Sequence, residues 1–180
     1  MKARCCITLG IPALILLTAC LVEALLPREP VYQGRPLSQW LADLDPDQPK
    51  EVRAHAHEAI RQIGTNAIPV LMEWFRARDS RLKLRLMELS RKQHLLHLHF
   101  TSAHDRCRRA YRACRILGPA AKPVIPGMIE LLNDTRTTPT AGNVLVLFGT
   151  DAIGPLAQAL TNRSVNVRYG AACLLGLFRG

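Results

Sequence analysis

Four histidines within eleven residues, His94, His97, His99 and His104, are the side chains whose type and spacing could hold a metal. A zinc site needs ligands that converge on one point. On a helix His94 and His97 face one side, His99 lies off that face, and no carboxylate stands at ligand spacing before Asp105. Exposed histidines on a basic helix are therefore the expectation. Ser102, His104 and Asp105 have the residue types of a hydrolytic triad, but triad groups converge from a folded geometry, which adjacency does not provide. Asp43, Asp45 and Asp47 alternate as at the start of a calcium loop, yet Gln48 stands where that loop needs glycine and Ala54 where it needs its closing glutamate. These acids are expected just ahead of the next helix, whose dipole favours negative charge. There is no Gly-rich phosphate loop either. The sequence predicts no enzyme, no catalytic residue, no metal and no cofactor.

Six cysteines do not form a disulfide framework. Cys5, Cys6 and Cys20 belong to an apolar amino-terminal segment, which leaves Cys107, Cys114 and Cys173. Cys107 and Cys114 are seven residues apart on one helix, about 10 Å along its axis, too far for a bond. Cys107 and Cys114 are expected as buried small hydrophobes.

Charge is concentrated. The chain carries net +10, and residues 76–115 alone hold twelve Lys or Arg against Asp79, Glu88 and Asp105, a net +9. Arg81, Arg85 and Lys92 fall on one face of a helix, with Glu88 between them and Leu82, Leu86, Leu89 and Leu96 on a separate stripe. Arg108, Arg112 and Arg115 repeat the arrangement on the following helix. One reading is the solvated face of a basic surface protein. The other is an anion-binding surface for phospholipid headgroups, acidic glycans, nucleic acid or an acidic protein, whose binding would weaken with salt. Nucleic acid is the least expected of these, because aromatic residues for base stacking are few.

The elements that would position these residues follow a repeat. Ala56, Ala110, Ala141 and Ala171 occupy one place in four copies that start at Val52, Arg106, Thr137 and Val167, spaced 54, 31 and 30 residues apart. The first interval is one period plus an inserted helix near 81–99. Val52, Ala56, Ala59, Ile60 and Ile63 make an apolar helical stripe, matched by Val167, Ala171, Leu174, Leu175 and Phe178. The copies from Arg106 and Thr137 begin on polar residues, so their helices are expected to start later. Gly64, Gly118 and Gly149 stand where a helix ends in a left-handed residue. Pro69, Pro123 with Pro126, and Pro155 then suit the first turn of a second helix. Each unit is thus expected as two antiparallel helices, with the recurrent alanine letting their axes approach. The fourth copy has only its first helix, with Arg179 in the place of the glycine.

The segments VRAHAHEAIRQIGTNAIPVL, RRAYRACRILGPAAKPVIPGMIELLND, AGNVLVLFGTDAIGPLAQAL and VRYGAACLLG resemble HEAT repeats of the bacterial type also found in phycobilin-lyase-like proteins. The resemblance covers roughly residues 50 to 180. It implies an all-α fold, an α-solenoid of antiparallel helix pairs that holds partners and carries no chemistry of its own. No residue here supports chromophore lyase activity. His104-Asp105 is similar to the metal-binding dipeptide of HD-type phosphohydrolases, but those sites need further His and Asp from other helices. On the solenoid reading the second helices form a continuous face near Glu73, Trp74, Arg76 and Arg78, with Trp74 the leading contact candidate and a place in the core its alternative.

Residues 1–26 are expected as a membrane anchor or signal segment. Lys2 and Arg4 precede an apolar run from Cys5 to Leu26, long enough to span a bilayer, and this charge order favours a domain outside the cytoplasmic membrane. Leu17-Thr18-Ala19-Cys20 resembles a lipobox, which would make Cys20 a lipidation site. A removed signal peptide is the third alternative. Residues 27–51 read as a linker, stiffened by Pro27 and Pro30, with a docking helix that Ser38 caps and whose Trp40, Leu41 and Leu44 share a face. The segment 52–180 is the solenoid. The functional expectation is a non-catalytic protein-protein interaction or scaffold module tethered at the membrane, its candidate contacts being Trp74, Arg76, Arg78, Arg81, Arg85, Lys92, Arg108, Arg112 and Arg115.

Overall fold

Residues 29–81, 85, 88 and 101–178 are described by the computed structural model of the protein. The fold is all-α apart from one small hairpin. Strands β1 (Val31–Tyr32) and β2 (Arg35–Pro36) pair antiparallel, Val31 opposite Pro36 and Tyr32 opposite Arg35. Gln33 (φ 49°) and Gly34 (φ 75°) link them, the positive φ pair that a two-residue I′ turn requires. The hairpin replaces part of the expected stiff spacer. Helices follow at α1 (Leu37–Ala42), α2 (Lys50–Ile63), α3 (Ile68–Arg76), α4 (Ala103–Leu117), α5 (Ile125–Leu131), α6 (Thr138–Leu147), α7 (Thr150–Ala159) and α8 (Val165–Leu177). Short 3-10 segments, Gly64–Ala67 and Gly118–Val124, join α2 to α3 and α4 to α5.

The corners repeat in backbone as well as in sequence. Gly64, Gly118 and Gly149 have φ of 60°, 55° and 55° with ψ of −137°, −126° and −126°. The expected left-handed φ is there, but ψ is that of the first central residue of a II′ turn, not of a left-handed helix. A side chain is strained in that region, so glycine is required. Pro69 and Pro126 occupy the opening positions of α3 and α5 as expected. Pro155 does not: α7 starts directly after Gly149 without a 3-10 segment, which leaves this proline inside the helix. The expected late start holds for α6, which opens at Thr138, and fails for α4, which opens at Ala103. Ser102 is the reason, since its Oγ accepts the Asp105 amide N–H at 3.0 Å and closes the helix start ahead of Arg106.

Helices α2, α4, α6 and α8 pack one on the next in chain order, while α3 lies against α4, α5 against α6 and α7, and α7 against α8. Between them runs the core. Ala56, Ala110, Ala141 and Ala171 are completely buried, as are Ala67, Ala121 and Ala152. Fully burying a large apolar side chain contributes about 1.5–3 kcal/mol, so Phe75, Leu71, Leu132, Leu145 and Leu156 carry more of the stability. The alanines set the spacing. Adjacent units are also tied at their rims by Arg76 to Glu130 (3.2 Å), Arg78 to Asp134 (2.5 Å) and Lys122 to Asp151 (2.9 Å).

The docking helix is present, with Leu37, Trp40, Leu41 and Leu44 buried and α1 packed on α2 and α4. Ser38 does not cap it. Pro36 precedes the helix, and the Ser38 amide N–H donates to Glu29 Oε2 at 2.9 Å. The hairpin folds over Trp40, whose Nε1–H donates to the Tyr32 carbonyl at 3.2 Å. The Arg35 guanidinium sits 4.0 Å from the Trp40 ring centroid and pairs with Asp43 at 2.8 Å. An amphipathic aromatic is thereby held as packing.

Arg81, Arg85 and Glu88 are helical and exposed. The rest of the segment expected as an inserted helix near 81–99 lies outside the described residues, and so do Lys92, His94, His97, His99, Cys20 and the whole 1–26 segment. Among the described residues no helix is long and apolar enough to cross a membrane.

Candidate interaction surfaces

The basic segment is largely matched by acids that the linear sequence leaves distant. Asp45, expected to serve the dipole of α2, instead faces α4: its carboxylate takes Arg109 at 2.8 Å and Arg112 at 3.1 Å, with Arg108 at 3.9 Å. Arg112 also donates to the Leu44 carbonyl at 3.1 Å. Arg108 pairs with Asp105 at 3.3 Å, and Arg106 lies 3.9 Å from Asp79. Arg76 and Arg78 bind Glu130 and Asp134 across the neighbouring unit. These guanidiniums hold the fold together before they meet any partner. Arg81, Arg85 and Arg115 are exposed.

Trp74 is only 7% exposed. As a contact candidate it is corrected to a core residue, because its place in the unit is also that of Met128 and Ala159, both buried. Periodicity applied to the second helices would have found this. Its neighbour Glu73 remains on the surface.

Where α2 and α4 end side by side, Leu44, His57, Arg61, Arg112, Arg115 and Ile116 line a recess of about 340 Å³. No carboxylate is among them. Arg61 and Arg115 stand in the last turns of their helices, where a cation also complements the helix dipole. The sequence reading named Arg112 and Arg115 and missed His57 and Arg61. The register could have linked them: Arg61 and Arg115 are nine residues after Val52 and Arg106.

A second concavity, of about 410 Å³, lies between α6 and α8. Pro139, Val146, Tyr169, Leu174 and Leu177 give it an apolar lining, with Asn143 and Asn166 at its edges. Tyr169 is 73% exposed, Leu177 67% and Val146 43%. The Tyr169 phenol pKa is raised, chiefly by its hydrogen bond with Cys173. Leu174 is on the expected apolar stripe and is buried, whereas Pro139, Val146, Tyr169 and Leu177 lie off it and were not singled out from sequence. The N-terminus of α8 is fixed to the connection between α5 and α6, Asn166 Nδ2 donating to the Asn133 carbonyl at 2.9 Å.

The chemistry first sought among the histidines does not assemble among the described residues. His104 is exposed, and Asp105 serves as the receiver of the Ser102 hydroxyl at 2.7 Å. That hydrogen bond, with the charges of Arg108 and Arg109, holds the Asp105 carboxyl below the ordinary range against a partial burial that pushes it up. No group of three or more His, Cys, Asp or Glu among the described residues is placed to hold a metal. Cys114 is buried and its thiol is pushed up to about 12 by burial, and Cys107 is half-buried and also raised. Burial is the expectation for both, and Cys107 falls short of it; Cys173 is exposed. Compared with known proteins, the chain matches no family model, no curated protein and no solved structure.

Proposed function

We propose that this chain is a HEAT-like α-solenoid that acts without catalysis, as a scaffold holding a partner protein at the membrane through an amino-terminal tether. The apolar groove between α6 and α8 carries the reading. Residues as large and apolar as Tyr169, Leu177 and Val146 stand exposed around one concavity whose edges are neutral, and contiguous apolar surface of this kind marks an interaction site. Its complement is an uncharged, apolar face, such as a helix offering side chains at i, i+3 and i+4. The repeating corners and the ladder of buried alanines support the solenoid, which supplies the extended surface. The apolar 1–26 run supports the tether and an extracytoplasmic location.

Crosslinking followed by co-purification from a membrane fraction tests the scaffold role. Tyr169→Arg and Val146→Arg should each remove the captured partner while leaving the melting temperature within a few degrees of the parent. Capture that survives both substitutions would sink the groove as the docking site.

A second reading, an anion-binding module on the 76–115 surface, is narrowed by the ion pairs of Arg76, Arg78, Arg108 and Arg112. What remains in its favour is the recess at the ends of α2 and α4.

A further inference from the structure

We propose that the recess lined by His57, Arg61, Arg112 and Arg115 binds a phosphate monoester. The inference is independent of partner docking between α6 and α8, and it rests on the anion-binding reading, which it moves from the broad basic surface to one place. Three guanidiniums and an imidazole surround this concavity, and no acidic side chain shares its wall. Arg112 is matched by Asp45, but Arg61 and Arg115 add two positive charges to the same open recess, and like charges repel one another. An anion between them reverses that cost.

The arginines differ in preparation. Arg112 is already oriented, its Nη1 held by Asp45 Oδ1 at 3.1 Å and by the Leu44 carbonyl at 3.1 Å. Arg61 and Arg115 are exposed, and neither has a carboxylate within ion-pair distance among the described residues. Leu44 and Ile116 form an apolar floor that strengthens any charge-assisted hydrogen bond made above it. A carboxylate satisfies one guanidinium fork; a phosphate monoester has three terminal oxygens and close to two charges, enough for all three. Complementing two helix dipoles is a role Arg61 and Arg115 fill in any case, but it does not require the two last turns to share one hollow with His57 and Arg112.

The test uses the full chain and two probes. Inorganic phosphate is titrated in thermal unfolding against sodium chloride of equal ionic strength. In parallel, phosphatidylcholine vesicles with and without phosphatidic acid, whose headgroup is a phosphate monoester, are used in co-sedimentation. Phosphate should raise the melting temperature beyond the chloride control. Arg61→Gln and Arg115→Gln should each weaken the response by roughly tenfold to a hundredfold, the worth of a hydrogen bond to a charged group. Arg115→Lys, which keeps charge without the fork, should fall between. Arg81→Gln should change nothing. Response to free phosphate alone assigns a soluble ligand, and retention on phosphatidic acid vesicles assigns a lipid headgroup; either supports the recess if Arg61→Gln and Arg115→Gln weaken it to that extent. Silence in both arms overturns the proposal. Binding that is lost in Arg81→Gln and Arg85→Gln but kept in Arg61→Gln and Arg115→Gln also overturns it, while leaving the broad basic surface as the anion site.

Discussion

Asp45 Oδ2 lies 2.8 Å from Arg109 Nη2, closing a contact between residues sixty-four apart in the chain. The pair is part-buried, and Arg112 shares the same carboxylate. Removing Asp45 leaves the Arg109 and Arg112 guanidiniums, neighbours on α4, without their shared carboxylate. Asp45→Ala should therefore cost about 1–3 kcal/mol in urea unfolding. A double-mutant cycle with Arg109→Ala should show a coupling of about 0.5 kcal/mol or more. Zero coupling would reduce the pair to a surface contact of no consequence.

Gly118 turns the chain at φ 55° with open space where a side chain would go. The strain of alanine there is purely of the backbone. Gly118→Ala should destabilise by about 1–3 kcal/mol. Gly176 in α8 also has open space and no positive φ, so Gly176→Ala should be neutral or stabilising by up to about 1 kcal/mol. Equal effects at the two sites would remove the conformational account of the corners.

Acid should act through Asp105, whose carboxyl is held below its ordinary 3.8 by the Ser102 hydroxyl and then by Arg108 and Arg109. A depressed folded pKa contributes stability above the unfolded value, and the contribution is lost as pH falls through the folded one. Asp105→Asn should thus be less stable than the parent at pH 7, with the difference shrinking below 3.8. Urea midpoints at neutral and acidic pH measure it. A difference that stays constant with pH would assign the effect to the helix cap alone.

Thiol labelling should separate the three cysteines of the helical region. The thiolate is the reactive form, and Cys114 is both buried and raised to about 12. Peptide mapping after brief alkylation at pH 8 should find Cys173 modified first and Cys107 slowly, its Sγ–H donating to the Trp74 carbonyl at 3.4 Å. Cys114 should label only on unfolding. Early labelling of Cys114 would mean that the core opens at α4.

What the sequence made legible was local. Helical spacing alone placed Ala56, Ala110, Ala141 and Ala171 at one depth, and all four are completely buried. It also put glycine at each corner. Spacing says nothing of what meets across sixty-four residues, so the turn of Asp45 toward α4 stayed hidden. The hairpin at Val31–Pro36 stayed hidden too, because Gln33-Gly34 lacks the usual turn-forming asparagine or aspartate. Trp74 fitted either a contact or a core role by type alone, and its register with the buried Met128 and Ala159 is what decides for the core. Tyr169, Cys173 and Leu177 make a second apolar stripe on α8, at helical spacing but outside the repeat register, which marks only the buried side.

Gly118 and Gly149 share φ and ψ values to the degree. Parts that meet through one standard joint can be exchanged. Excising the thirty-one residues from Ala110 through Thr140 would bring Ala141 to the place of Ala110, with helix entering helix in phase and the same pivot awaiting at the next bend. The same cut would take Glu130 and Asp134 from Arg76 and Arg78, so a change of length by one segment also calls for new partners at the rim.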